Sequence, residues 1–167
     1  NIMVKNCRND AIPHYALRGI RAETVTGNMS TDPGAPYYWG YLPKNLAGIF
    51  GTMRDRISQV VYSYATPIAV CIDGVWIIPD VTYSPSTSSN HQCQLYMLGG
   101  YYVPWDCSAE ELERVIAGKM KYLRDRKVGR WVPGPNWEPT ASSWATPRAA
   151  GTAPAEPFST TTWSSRR

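Results

Sequence analysis

Two short runs rich in β-branched residues, Ile68–Ile72 and Val75–Ile78, are separated by Asp73-Gly74 alone. A two-residue loop that turns one strand back on the next needs positive φ at its centre, and Asp-Gly supplies it with little strain. The pair therefore reads as an antiparallel hairpin. A hairpin alone is unstable in water, so further elements must cover its faces. Gln59–Tyr64 is a third run of this kind and is expected to be a strand. Pro67 cannot donate to a ladder and is expected at a bend or an edge. Pro79 is expected to stop the return strand, and Thr82–Ser84 to add a short edge strand.

Two longer segments have helical period. In Pro43–Ile57, Leu46, Ile49, Phe50, Met53 and Ile57 share one face, with Pro43 at the tolerant first position. From Ser108 to about Arg126, Ser108 and Glu111 make a capping box, and Leu112, Val115, Ile116, Met120 and Leu123 form the core face. Glu110, Glu111 and Glu113 lie early, while Lys119, Lys121, Arg124, Arg126 and Lys127 lie late, as the helix dipole favours. Asn9–Gly19 reads as a short helix, capped by Asn9 or Asp10 and ended by Gly19. His91, Leu95 and Leu98 share helical spacing before Gly99-Gly100, which can close a helix, while the partial alternation of "CQLYMLGGYYV" leaves a strand as the alternative. Thr26–Pro36 reads as a loop.

The expected fold is α+β: a small antiparallel sheet from Gln59 to Ser84 with a central β-hairpin, packed by two or three helices. Apolar residues make up 43% of the 167, enough for one core over residues 1–131. Residues 132–167 are dominated by Pro, Ser, Thr, Ala and Gly, and such a stretch cannot offset its chain entropy by burial. A disordered tail is expected there, with Trp137, Trp144 and Trp163 as docking anchors or incidental residues.

Cys7, Cys71, Cys93 and Cys107 form no CxxC pair, which favours free thiols. Residues 1–30 lack an apolar signal-peptide core, and no apolar run reaches the roughly 20 residues that span a bilayer. A cytoplasmic location and no membrane partner are expected.

The block Ser86–Gln92, "STSSNHQ", concentrates hydroxyl and amide groups around one histidine. Ser84, Ser86, Ser88 or Ser89 could act as a nucleophile with His91 as base and Asp80 as the nearest orienting acid. No Gly-x-Ser-x-Gly elbow surrounds them, and helix capping accounts for the same hydroxyls. His91 and Cys93 with distant Cys7 and His14 do not make a zinc pattern, and no cofactor motif is present. From Lys119 to Arg130 six basic residues face one acid, Asp125. Lys119, Lys121, Arg124, Arg126 and Arg130 are candidate phosphate contacts, with Tyr122 and Trp131 among them as candidate stacking faces. The edge expected near Thr82 is a candidate for strand addition by a protein partner.

"VVYSYATPIA", "DGVWIIPDVTYS" and "STSSNHQ" together resemble a small domain that recurs in actinobacterial genomes and their phages. Its pattern is Tyr-Ser-Tyr-x-Thr-Pro-Ile-Ala, a Gly-x-Trp strand, Tyr-Ser, and a Thr-Thr-Ser-x-His-Gln block, often with upstream segments like "GYLP" and "GNMS" here. The similarity spans roughly Lys5 to Gln94, and this chain departs by one extra residue before His91. The family is of unknown function. The resemblance implies a phage or mobile-element setting in a bacterial host and a shared polar surface of Tyr62, Tyr64, Tyr83, Thr87, Ser88 and His91. It implies no reaction. The expected function is a non-catalytic accessory protein that binds a macromolecule. Nucleic acid is favoured, with a host-protein-binding inhibitor, or a hydrolase using a Ser with His91, as alternatives.

Overall fold

The computed structural model describes residues 2–127 and 129–134. In chain order the elements are β1 (Met3–Cys7), α1 (Ile12–Leu17), β2 (Arg21–Thr24), β3 (Met29–Pro33), α2 (Lys44–Thr52), β4 (Ile57–Ser63), β5 (Thr66–Ile72), β6 (Val75–Asp80), β7 (Tyr101–Pro104), α3 (Ala109–Ile116), β8 (Tyr122–Asp125) and β9 (Arg130–Pro133). One turn of π-helix (Thr87–His91) and a 3₁₀ stretch (Gln92–Leu98) lie between β6 and β7.

Strands β1 to β7 form one sheet in sequence order, and β8 and β9 form a separate hairpin. The pairs from β2 to β6 are antiparallel. The outer pairs β1–β2 and β6–β7 are parallel. Parallel neighbours need a crossover, and helical segments supply both: α1 for the first, residues 87–98 for the second.

The fold is thus α+β with a mostly antiparallel sheet, and its helices cover both faces. Side chains alternate along a strand. Val60, Val70, Ile72 and Ile77 pack with Leu46 and Phe50 of α2 and Leu112 and Val115 of α3. Val61, Ala69, Cys71, Trp76 and Ile78 pack on the other face with Ile12 and Ala16 of α1 and with Leu95 and Leu98. All seven residues of β5 are buried.

The Asp73-Gly74 turn forms as expected, with φ of 52° and 80°. Pro67 does not mark an edge. It lies in central β5, beside a bulge that pairs Val61 with Ala69 and Tyr62 with Pro67 and leaves Ile68 over. A bulge interrupts the ladder locally and so tolerates a residue without an N–H. Pro79 does not stop β6 but pairs with Val103 of β7. Thr82–Ser84 is not a strand. Within the expected loop Thr26–Pro36, β3 forms because its partner β4 supplies a ladder from Met29–Ser63 to Pro33–Gln59, while Met29 and Thr31 point into the core. Strands β1 and β2 were also not expected. The short helical stretch from Asn9 forms, but neither Asn9 nor Asp10 caps it.

The capping box of α3 forms as read: Glu111 N–H donates to Ser108 Oγ at 3.1 Å, and Ser108 N–H to Glu111 Oε1 at 3.0 Å. The helix, however, ends at Ile116 rather than near Arg126. Gly118 adopts φ 75°, the left-handed geometry that closes helices. Tyr122 and Trp131 then favour the paired strands of β8–β9. Residues 132–134 therefore belong to the folded body, not to a tail; the rest of the expected tail lies outside the described residues.

Strand β1 carries an irregularity: its register with β2 shifts between Val4 and Cys7, and Asn6 has φ 60°. Elsewhere, Arg56 bonds Asp73 at the hairpin turn and Glu113 on α3, both at 2.7 Å. These ion pairs are partly exposed, so burial carries most of the stability. Phe50→Ala is expected to lower unfolding free energy by about 3–5 kcal/mol, and Arg56→Ala by no more than about 2 kcal/mol for its two pairs, as read from urea unfolding curves.

Candidate functional site

The ends of β4 and β5 and the chain leaving β6 lie at one end of the sheet. There a cleft of about 500 Å³ is lined by Tyr38, Gly40, Tyr41, residues 63–66, Thr82, Tyr83, Ser84 and Thr87. None of these side chains is charged. Tyr38, Tyr41 and Tyr64 are more than half exposed at its rim.

Each wall is fixed by a local constraint. Ser63 pairs with Thr66 across a two-residue turn, and the first turn residue, Tyr64, has φ 54°. Positive φ is uncommon for a bulky side chain and costs energy that the surroundings must supply. The Tyr64 N–H donates to Asn28 O at 2.6 Å, which helps to hold it. The segment before α2 is tied to the same turn: Tyr41 N–H donates to Thr66 Oγ1 at 2.9 Å. Gly40, at φ 58°, presses directly on Thr66, and a Cβ there would overlap the threonine oxygen and lie 2.7 Å from its Cα. Arg54 donates to Pro36 O and sits over the Tyr37 ring, anchoring the other end of this segment.

Beneath the cleft lies a chain of hydroxyls. Ser84 Oγ lies 3.2 Å from Ser86 Oγ and donates to Thr87 Oγ1 at 3.1 Å. Thr87 Oγ1 lies 2.9 Å from Ser63 Oγ, which lies 2.7 Å from Nδ1 of His91. Each hydroxyl has one proton, so the chain orients consistently as Ser86 to Ser84 to Thr87 to Ser63 to His91. Nδ1 is then the acceptor and Nε2 carries the proton, a tautomer assigned from this network. His91 is 3% exposed. Burial lowers its pKa below the ordinary value, with no charged neighbour contributing. The Tyr64 ring packs against the imidazole, centroids 5.7 Å apart.

The serine beside His91 is thus Ser63, which sequence reasoning missed. Ser88 instead donates to Gln92 Oε1, and Ser89 to Pro85 O. Asp80 pairs with Arg124 at 3.1 Å rather than orienting the histidine. Helix capping holds for Ser84, which accepts the Thr87 N–H at 3.2 Å where the helical segment begins, but not for Ser86, whose backbone is already helical and which makes no cap bond. Of the shared polar surface, Tyr64, Tyr83 and Thr87 meet at the cleft with His91 below. Tyr62 packs on the opposite core, where burial and nearby Asp32 push its pKa up to about 12. The Tyr83 hydroxyl is buried without a partner. Tyr38, Tyr41 and Thr66 were also missed. One signal was available: Ser63 shares a strand face with Val61, so it is a polar residue on an apolar face.

The basic residues do not form a helix end. Lys121 immediately precedes β8, Arg124 and Arg130 lie on β8 and β9, and Arg126 lies in the turn between them. Lys119, Lys121, Arg126 and Lys127 are exposed. Arg124 sits 5.7 Å from the Trp131 ring centroid. Trp131 stacks on Tyr102 of β7 at 5.0 Å, and Tyr122 is buried, so neither is a free platform. Among the described residues no cluster of three or more His, Cys, Asp or Glu could hold a metal, and no helix is long and apolar enough to cross a membrane. The cysteines are unpaired. Compared with known proteins, the chain matches no family model, no curated protein and no solved structure.

Two outcomes follow from this geometry. Unfolded histidine takes its proton near pH 6.5, and folded His91 takes it lower. Between those values the unfolded state binds more protons, so stability falls as pH drops through and below about 6.5; His91→Gln should flatten that slope in pH-dependent urea melts. Gly40→Ala should cost more than about 1 kcal/mol, because the backbone geometry and the Thr66 contact both oppose a side chain.

Proposed function

We propose that the protein is a non-catalytic accessory protein of a phage or mobile element that acts in the bacterial cytoplasm by binding nucleic acid. The phage or mobile-element setting draws on the sequence resemblance. The nucleic-acid reading is carried by where the cations stand. Basic residues at a helix C-terminus need no ligand to account for them, but α3 ends at Ile116 with Arg114 as the basic residue of its last turn. Lys119, Lys121, Arg126 and Lys127 lie beyond it, exposed on and beside the β8–β9 hairpin. The Arg124–Asp80 pair fastens that hairpin two residues before Thr82, where the cleft wall begins.

The Ser63–His91 contact supports a hydrolase less well. Ser63 is 2% exposed and shares its oxygen with Thr87. No charged group adds to the His91 shift, whereas a nucleophilic serine uses an oriented base. Strand addition by a host protein at Thr82 loses its basis because no strand forms there.

The test is a salt titration of binding to labelled single- and double-stranded DNA and RNA. Log affinity should fall linearly with log salt, and Lys119→Ala with Arg126→Ala should reduce the slope by about 1.5. Failure to bind any of these at low salt overturns the proposal.

A further inference from the structure

We infer that the tyrosine cleft receives one unpaired base of a single strand, while the phosphates on either side of it run along the basic hairpin. This rests on the nucleic-acid reading and adds to it a strandedness and a subsite. The first support is the division of charge. The cleft lining contains no cation, so it offers a phosphate no opposite charge. It does offer aromatic faces and hydroxyls, which suit the flat, neutral, hydrogen-bonding body of a base. Stacking on an aromatic ring tolerates any base, since every base has a π-face. Thr66 Oγ1 accepts the Tyr41 N–H and keeps its own proton to donate, whereas Ser84 and Thr87 spend theirs within the network below.

The second support is size. A cleft of about 500 Å³ is in the range of sites that enclose a small molecule. It admits a base turned out of a strand and excludes one that is paired within a duplex. The third support is Tyr64. The chain holds this large residue at φ 54°, where glycine or asparagine would be unstrained. It thereby places a ring that is 52% exposed at the cleft rim, backed by His91. Retained strain of this kind concentrates at functional sites. The platforms expected from the sequence, Tyr122 and Trp131, are occupied inside the fold; of the exposed rings, Tyr38, Tyr41 and Tyr64 are the ones gathered around one cleft.

The experiment measures fluorescence anisotropy of the full 167-residue chain with three labelled probes: a thymidine 15-mer, an abasic strand with the same number of phosphates, and a blunt duplex. Tyr64→Gly is the informative variant, because glycine suits the positive φ of the turn; a urea melt of the variant checks that it is folded. The thymidine strand should bind about 10- to 100-fold tighter than the abasic strand and tighter than the duplex. Tyr64→Gly should remove that advantage and leave abasic binding unchanged. Equal affinity for thymidine and abasic strands, tighter binding of the duplex, or no effect of Tyr64→Gly overturns the base subsite while leaving nucleic-acid binding in place. Absence of binding to every probe at low salt overturns both.

Discussion

Strand β5 has no face turned to water, and the rest of the molecule answers that condition. A strand buried on both sides needs a ladder on each edge and a layer on each face. The edges come from β4 and β6, joined to it by turns of two residues. The layers come from helices, and those helices have to be reached without leaving the sheet. The chain meets this by bracketing the antiparallel centre with two parallel crossovers, α1 on one flank and residues 87–98 on the other. Both crossover segments fall on the same face and share one core, while α2 and α3 close the opposite face.

The hydroxyl chain follows from that packing. The crossover of residues 87–98 begins over the end of β4, where the strand face changes from Val61 to Ser63. A buried serine and a buried histidine each need a partner, since an unmet polar group inside a protein costs free energy. Thr87 and His91 supply Ser63 with both of its bonds. The single π-turn at Thr87–His91 widens the helix just where these two side chains face the strand, and π-turns recur at functional sites. The network thus fixes the cleft floor from below, as the Gly40–Thr66 contact fixes its wall from the side.

What the sequence discloses is what is local. The Asp73-Gly74 turn, the apolar face of α2 and the Ser108–Glu111 box are each set by residues a few positions apart. Strands β1, β2 and β3 are short and partly polar, and they exist because a neighbour offers hydrogen bonds, which no local pattern records. The length of α3 was misread because Met120 and Leu123 continue the helical spacing past Gly118, whose positive φ breaks the helix before the pattern ends. The site was half legible. The hydroxyl block and His91 stand out by composition, but the partner of His91 lies 28 residues away, and its only local mark is a serine on an apolar strand face.

The irregularity in β1 has a bearing on how the molecule meets its neighbours. An open, flat sheet edge recruits further strands and leads toward aggregation, and proteins blunt such edges with kinks and lysines. Here the outermost strand slips its register between Val4 and Cys7 and carries Asn6 at φ 60° next to the exposed Lys5. At the far side of the sheet, Trp131 of the β8–β9 hairpin lies against Tyr102 of the last strand. Neither margin offers a long unobstructed ladder. A sheet of seven strands thus ends at both margins without a straight backbone edge for a further strand to extend.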